Sequence, residues 1–206
     1  MINASKIKIA LIKWLLEKYD NNLVLGNEVA YSPLIRRADL VMIHNGFSYA
    51  FEIKSDCDNM KRLKDQLPDY LKTFDFIYIV TTKSLLKEIE LSAPKNVGII
   101  LVNGSVKQKR KPILIKRLNK RSLAEFLDRK TIIKNIHPKN PSLSVFDLRD
   151  TISKELSISK IRELAIQSLT KRYSYQFSLF LYDIENSGIT EDDLRTLTGC
   201  NLGNIH

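Results

Sequence analysis

Asp39, Glu52 and Lys54 are the residues whose types and spacing best suit chemistry in this chain. Between the segments that carry them lies Asn45-Gly46. This dipeptide is the strongest short-range hairpin signal, because a type I′ turn needs positive φ at both central residues. With a two-residue turn His44 faces Phe47, and Asp39 falls opposite Glu52 as a non-hydrogen-bonded pair, the kind whose side chains approach closest. Glu52 and Lys54 share that face, while Leu40, Met42, Phe51 and Ile53 point the other way. A bulge would shift this register, so the placement requires a regular hairpin. Two carboxylates with Cβ atoms about 5 Å apart repel unless a cation lies between them. An all-oxygen site favours a hard ion, Mg²⁺ or Mn²⁺, over zinc, with the carbonyl of Ile53 as a further ligand. Lys54 would orient or deprotonate a water attacking phosphorus, or stabilise charge on the phosphate. The bland alternative is an exposed Glu and Lys with a coincidental Asp. The apolar flanks argue against it, because they suit central strands where uncompensated charge is costly.

Other residues are candidates for supporting roles. Gln66 and Tyr70 lie one turn apart on a predicted helix and share a face, where they would brace Lys54, the water or a phosphate, or else pack the helix on the sheet. Glu28 or Glu17 would add an acid, and Glu28 is preferred for its apolar neighbours Val29 and Ala30. Asp56 and Asp58 flank the site or cap the helix that follows. His44, His137 and His206 do not cluster, and no Ser-His-Asp set or glycine-rich phosphate loop occurs. Tyr173, Tyr175, Phe177, Phe180 and Tyr182 would stack on bases, although their helical spacing suits a core better.

The elements that must position these groups follow from periodicity. A helix is expected over 4–19 from Ile7, Leu11, Trp14 and Leu15. Strands are expected over 23–31, 35–44 and 47–55, a helix over 59–73, a strand over 74–81, a short helix over 83–92 and a strand over 97–102. Pro112 to Ile115 is read as an edge strand. Helices are expected near 144–156, 158–172 and 174–186 after a linker marked by Pro138 and Pro141. Thr190-Glu191-Asp192-Asp193 is read as a capping box for a final short helix ending at Gly199. The order predicts an α/β core over 1–121, with a mixed central sheet flanked by helices, and a helical C-terminal part over 122–206.

Charge narrows the partner. The chain of 206 residues carries 33 Lys+Arg against 23 Asp+Glu, a formal net of +10. Between Asn103 and Lys139 stand twelve basic residues and only two acidic ones, Glu125 and Asp128, so this stretch carries the whole surplus. A localised basic surface suits a polyanion. Lys107, Lys109, Arg110, Lys111, Lys116 and Arg117 are the candidate nucleic-acid contacts, against the alternative of a solvated lysine-rich face. No targeting or membrane-spanning signal is expected, since the apolar run over 7–16 is short and broken by lysines. Cys57 and Cys200 form no C-x-x-C spacing, and the cytoplasm is the expected compartment.

Asp39 followed by Glu52-Ile53-Lys54 resembles the D…(E)xK signature of the PD-(D/E)XK, restriction-endonuclease-like nuclease superfamily, with Ala38 where that motif has proline. Gln66-Leu67-Pro68-Asp69-Tyr70 is similar to the Q-x-x-x-Y motif of RecB-like nucleases. More closely, Glu52-Ile53-Lys54-Ser55-Asp56, Asp58, Arg62-Leu63, Gln66, Tyr70 and Phe74-Asp75 resemble a small family of bacterial and phage proteins. The resemblance implies a restriction-endonuclease-like core over about 4–103, metal at Asp39 and Glu52, catalysis by Lys54, and support from Gln66 and Tyr70. The expected function is metal-dependent hydrolysis of phosphodiester bonds in nucleic acid, DNA before RNA. Cutting both strands with one such site would use a homodimer. Competing expectations are a non-catalytic nucleic-acid-binding accessory protein on the same fold, and an interaction module for an acidic protein.

Overall fold

The computed structural model describes residues 3–19, 22–32, 36–56, 58, 60–138 and 142–198. Helix α1 (Ala4–Lys18) leads into β1 (Leu23–Ser32), β2 (Arg36–His44) and β3 (Phe47–Lys54). Then come α2 (Met60–Thr73), β4 (Phe76–Thr81), α3 (Leu86–Ser92), β5 (Gly98–Asn103) and β6 (Ser105–Arg110). The remainder is helical: α4 (Lys120–Ala124), α5 (Arg129–Ile136), α6 (Val145–Glu155), α7 (Ile158–Ile184) and α8 (Asp193–Thr196). The strands form one mixed sheet in sequential order β1 to β6. β3, β4 and β5 run parallel, and the outer pairs are antiparallel. This is the expected α/β class with a mixed sheet, flanking helices and a helical C-terminal part.

Asn45 and Gly46 have φ of 49° and 73°, as a type I′ turn demands. The β2–β3 ladder then runs from His44↔Phe47 to Leu40↔Phe51 in the expected register. Leu40, Met42, Phe51 and Ile53 join Ile7, Leu11 and Leu15 of α1 in one core, so the helix covers that side. The opposite side holds Val41, Ala50, Ile79, Leu63, Tyr70 and Phe74, and there α2 lies on the sheet. α7 spans both cores, contributing Tyr173 to one and Phe177 and Phe180 to the other. Gly26 permits the close approach, because a Cβ there would meet the Tyr173 ring at 2.8 Å. Helices α4 to α7 add a smaller cluster around Leu127, Ile132 and Leu148.

Several expected boundaries shift. The edge strand is β6 and not Pro112–Ile115: Gly104, at φ 68°, turns the chain at once, and Ser105–Arg110 pairs back on β5. Pro112 has no N–H to give a ladder. Instead Ile113 and Ile115 donate to the carbonyls of Asn96 and Asp75 at 2.9 Å. The two helices expected over 158–172 and 174–186 are one helix of 27 residues, since no Gly or Pro interrupts it and Tyr173 and Phe177 anchor its middle. Thr190 does engage Asp193, through N–H and hydroxyl at 2.7 Å each, but α8 ends at Thr196. Gly199, Pro141, His206, Cys57 and Cys200 lie outside the described residues. Among the described residues no helix is long and apolar enough to cross a membrane.

Candidate active site

The ladder between β2 and β3 stops where the chemistry begins. Continued register would pair the N–H of Ile53 with the carbonyl of Ala38, but no pair forms beyond Leu40↔Phe51. That N–H donates instead to Oδ2 of Asp39 at 2.6 Å. The regular Asp39–Glu52 ladder pair expected from the sequence is therefore replaced by a side chain capping the parted strands. Ala38 consequently packs with the α2-side core, whereas Leu40 and Met42 pack under α1.

Glu52 and Lys54 keep the expected common face and form an ion pair of 2.7 Å between Oε1 and Nζ. Both are buried, at 2% and 3% exposure. Lys54 Nζ also donates to Gln66 Oε1 at 3.3 Å, and the hydroxyl of Tyr70 donates to Glu52 Oε2 at 2.5 Å. Gln66 and Tyr70, one turn apart on α2, thus grip the two members of the ion pair separately. Burial, and then the charge of Glu52, push the Tyr70 hydroxyl well above its ordinary range, so this phenol remains a donor.

These groups open on a cavity of about 570 Å³ between the N-terminal turns of α1, the parted ends of β1 to β3 and the start of α2. Glu28, Asp39, Glu52, Ile53, Lys54 and Gln66 all line it. Tyr70 is fully buried beneath and acts through Glu52. Burial and the nearby Glu52 charge raise the Asp39 carboxyl from 3.8 to about 7, against the lowering effect of the Ile53 N–H. Asp39 is thus a carboxylate short of positive charge. Asp39, Glu52 and the Ile53 carbonyl are all-oxygen donors on this lining, the kind of set a hard divalent cation takes. Among the described residues no three His, Cys, Asp or Glu side chains converge as a metal-holding group, and Glu28 is engaged with a cation. Its Oε1 is held by Lys8 Nζ at 2.8 Å, facing α1. Glu17 is exposed on α1 and does not line the cavity.

Sequence reasoning missed the cations of the cavity. Lys8, Arg36, Arg37 and Arg62 line it together with the acids. The available signal was Lys8 at helical spacing with Leu11, Ile12 and Leu15, on the face that the structure buries. The start of α2, where Asp56 and Asp58 are expected as caps, lies partly outside the described residues. Asp56 accepts from Thr82 and Ser84 beyond β4, and Asp58 accepts the N–H and hydroxyl of Ser55.

The basic stretch stands apart from this cavity. Lys107, Lys109, Lys111, Lys116 and Arg117 are exposed on β6 and the following loop, and β6 is three strands from β3, about 14 Å at ordinary strand spacing. Arg110 is occupied structurally, donating to the carbonyls of Val97, Ala93 and Pro94. Of the C-terminal aromatics, Tyr173, Phe177 and Phe180 are core, while Tyr175 and Tyr182 are exposed at 66% and 78%.

Comparison with known proteins leads to phage. The family model described as Bacteriophage P4 protein cII matches residues 2–198. Protein cII of Enterobacteria phage P4 is 32% identical over 208 residues, covering 96% of this chain and 78% of the phage protein. Among solved structures, a protein of unknown function from Silicibacter pomeroyi is similar at 13% identity and a TM-score of 0.47, over 77% of this chain and 97% of that one.

Proposed function

The chain belongs to the Bacteriophage P4 protein cII family, and for it we propose a metal-dependent nuclease that hydrolyses phosphodiester bonds in nucleic acid, DNA before RNA, in the cytoplasm. One observation carries this reading. Asp39 is tied to the peptide between Glu52 and Lys54 at the floor of an open, polar cavity, so the three residues of the D…ExK resemblance line one space. When bound, Mg²⁺ or Mn²⁺ supplies positive charge to the reacting phosphate. Asp39 and Glu52 would hold the ion, with the Ile53 carbonyl and Glu28 as further oxygen donors. Lys54, kept in place by Glu52 and Gln66, directs its ammonium group at a non-bridging phosphate oxygen and stabilises the charge that grows there. Tyr70 fixes the Glu52 carboxylate from below. The lysines of β6 and its loop add affinity for the phosphate backbone without reading sequence.

A second reading rests on the same pair. Both oxygens of Glu52 already accept hydrogen bonds, from Lys54 and Tyr70, which suits an accessory protein that binds nucleic acid without cutting it. One experiment separates the two. Purified protein is incubated with Mg²⁺ or Mn²⁺ against labelled linear, circular, branched and single-stranded substrates. Cleavage that chelator abolishes supports the nuclease, and binding without cleavage of any substrate supports the accessory protein.

A further inference from the structure

Glu28 is a non-glycine residue with φ of 51° inside a strand. Such a backbone persists only where the surroundings over-determine it. Strand β1 changes face at this point. Before it, Leu23 and Leu25 pack under α1; after it, Val29 and Tyr31 pack on the α2 side. The flanking pairs Asn27↔Leu40 and Val29↔Ala38 keep one register, so Glu28 is delivered opposite Asp39 at the mouth of the cavity.

Arg37 donates to the Glu28 carbonyl at 3.2 Å, and Asn27, the residue before Glu28, is held by the α8 segment. The N–H of Asn27 donates to the carbonyl of Leu197 at 2.9 Å. Its side-chain amide donates to the carbonyl of Leu194 at 2.9 Å and to the Thr198 hydroxyl at 3.1 Å. The amide oxygen accepts from Lys8 Nζ at 2.7 Å, and the same ammonium group donates to Glu28. Asn27 is 7% exposed and Leu197 fully buried. Asn27 therefore joins three elements, α1 through Lys8, β1 through its own backbone, and the α8 segment through three hydrogen bonds. Burial requires both amide N–H groups and the amide oxygen to be satisfied, and here every partner comes from α1 or the α8 segment.

We propose that Asn27 is a positioning residue through which the α8 segment, Leu194 to Thr198, is docked against the carboxylate cavity, so that occupation of the cavity and docking of α8 stabilise one another. The inference rests on the proposed divalent-cation site. An ion at Asp39 and Glu52 takes up the Glu28 carboxylate, which leaves the Lys8 ammonium group to Asn27 Oδ1 and fixes the β1 turn. A fixed turn holds Asn27 aimed at Leu194 and Thr198, and by linkage the segment closes more tightly when the cavity is filled.

Hydrogen exchange on the full chain tests this. In wild type, Mn²⁺ slows exchange in β2–β3 and also, about tenfold, in the peptide spanning Leu194 to Thr198. In Asn27→Ala, β2–β3 still responds to Mn²⁺ and the 194–198 peptide no longer does. A response in β2–β3 of wild type with none at 194–198 overturns the coupling and leaves the ion site standing. No response in any wild-type peptide overturns the ion site, and the coupling with it. Because the wild-type comparison decides by itself, failure of Asn27→Ala to fold does not remove the test.

Discussion

The backbone N–H of Ile53 donates to Asp39 Oδ2 at 2.6 Å, so a carboxylate from one strand is anchored on the peptide that separates Glu52 from Lys54 on the next. The bond fixes Asp39 without neutralising it. A neutral amide donor leaves the carboxyl raised by burial and by Glu52 to about 7.

Asp39→Ala, Glu52→Ala and Lys54→Ala are each expected to reduce divalent-dependent cleavage by about 100-fold or more, as loss of an electrostatic catalytic group does elsewhere. Circular dichroism accompanies each assay, because Glu52→Ala and Lys54→Ala strand a buried charge and should also lower stability. Full activity in Glu52→Ala and Lys54→Ala would sink the assignment.

The Asp39 carboxyl sets a pH dependence of stability. Its folded value, about 7, lies above its ordinary 3.8, so between these pH values the folded state holds a proton that the unfolded state has released. Stability in chelator is therefore fully present below about pH 4 and falls as pH rises through 7. Asp39→Asn keeps an oxygen for the Ile53 N–H and removes this fall. Melting curves in chelator should coincide near pH 4, with the variant the more stable at pH 8. Saturating Mn²⁺ should reverse that order by stabilising wild type, by about 2.7 kcal/mol at a hundredfold excess over its dissociation constant. Identical responses of the two proteins to pH and to metal would refute the electrostatic reading of Asp39.

Asp75 fastens α7 to the sheet. Almost fully buried, it accepts from the N–H and hydroxyl of Ser48 and pairs with Arg162 Nε at 2.6 Å. Arg162 also donates to the Gly46 carbonyl and stacks over Phe47. Arg162→Ala strands the buried carboxylate and should cost about 3–5 kcal/mol. Arg162→Ala together with Asp75→Asn should recover part of that loss. Urea unfolding of the two proteins measures it; equal stability of wild type and Arg162→Ala would count against a fastening role.

Nucleic-acid affinity should depend on the exposed lysines of the sheet edge. Neutralising Lys107, Lys109 and Lys111 together, while leaving Arg110 to its carbonyl partners, should weaken binding and lower the slope of log affinity on log salt by about three contacts' worth of released counterions. An unchanged slope would show that the phosphate backbone runs elsewhere, with the cavity cations Arg37 and Arg62 the next to test.

The sequence by itself determined the parts whose signals are local. Asn45-Gly46 sets a turn and hence a register, and period-two alternation then puts Glu52 and Lys54 on one face and Phe51 and Ile53 on the other. Helical spacing likewise gave α1 and α2, and with α2 the pairing of Gln66 and Tyr70 at one turn. Only the tertiary structure decided where the ladder breaks, because breaking it exchanges a backbone partner for the Asp39 side chain, and nothing in the alternation marks that exchange. It also decided that Lys8 turns inward to Glu28, that α7 is unbroken, and that Asn27 meets Leu194 and Thr198. A hydrogen bond between residues some 170 positions apart leaves no periodicity in either segment. It forms only when the folded cores have already brought β1 and α8 side by side, and burial then makes every donor and acceptor between them find a partner.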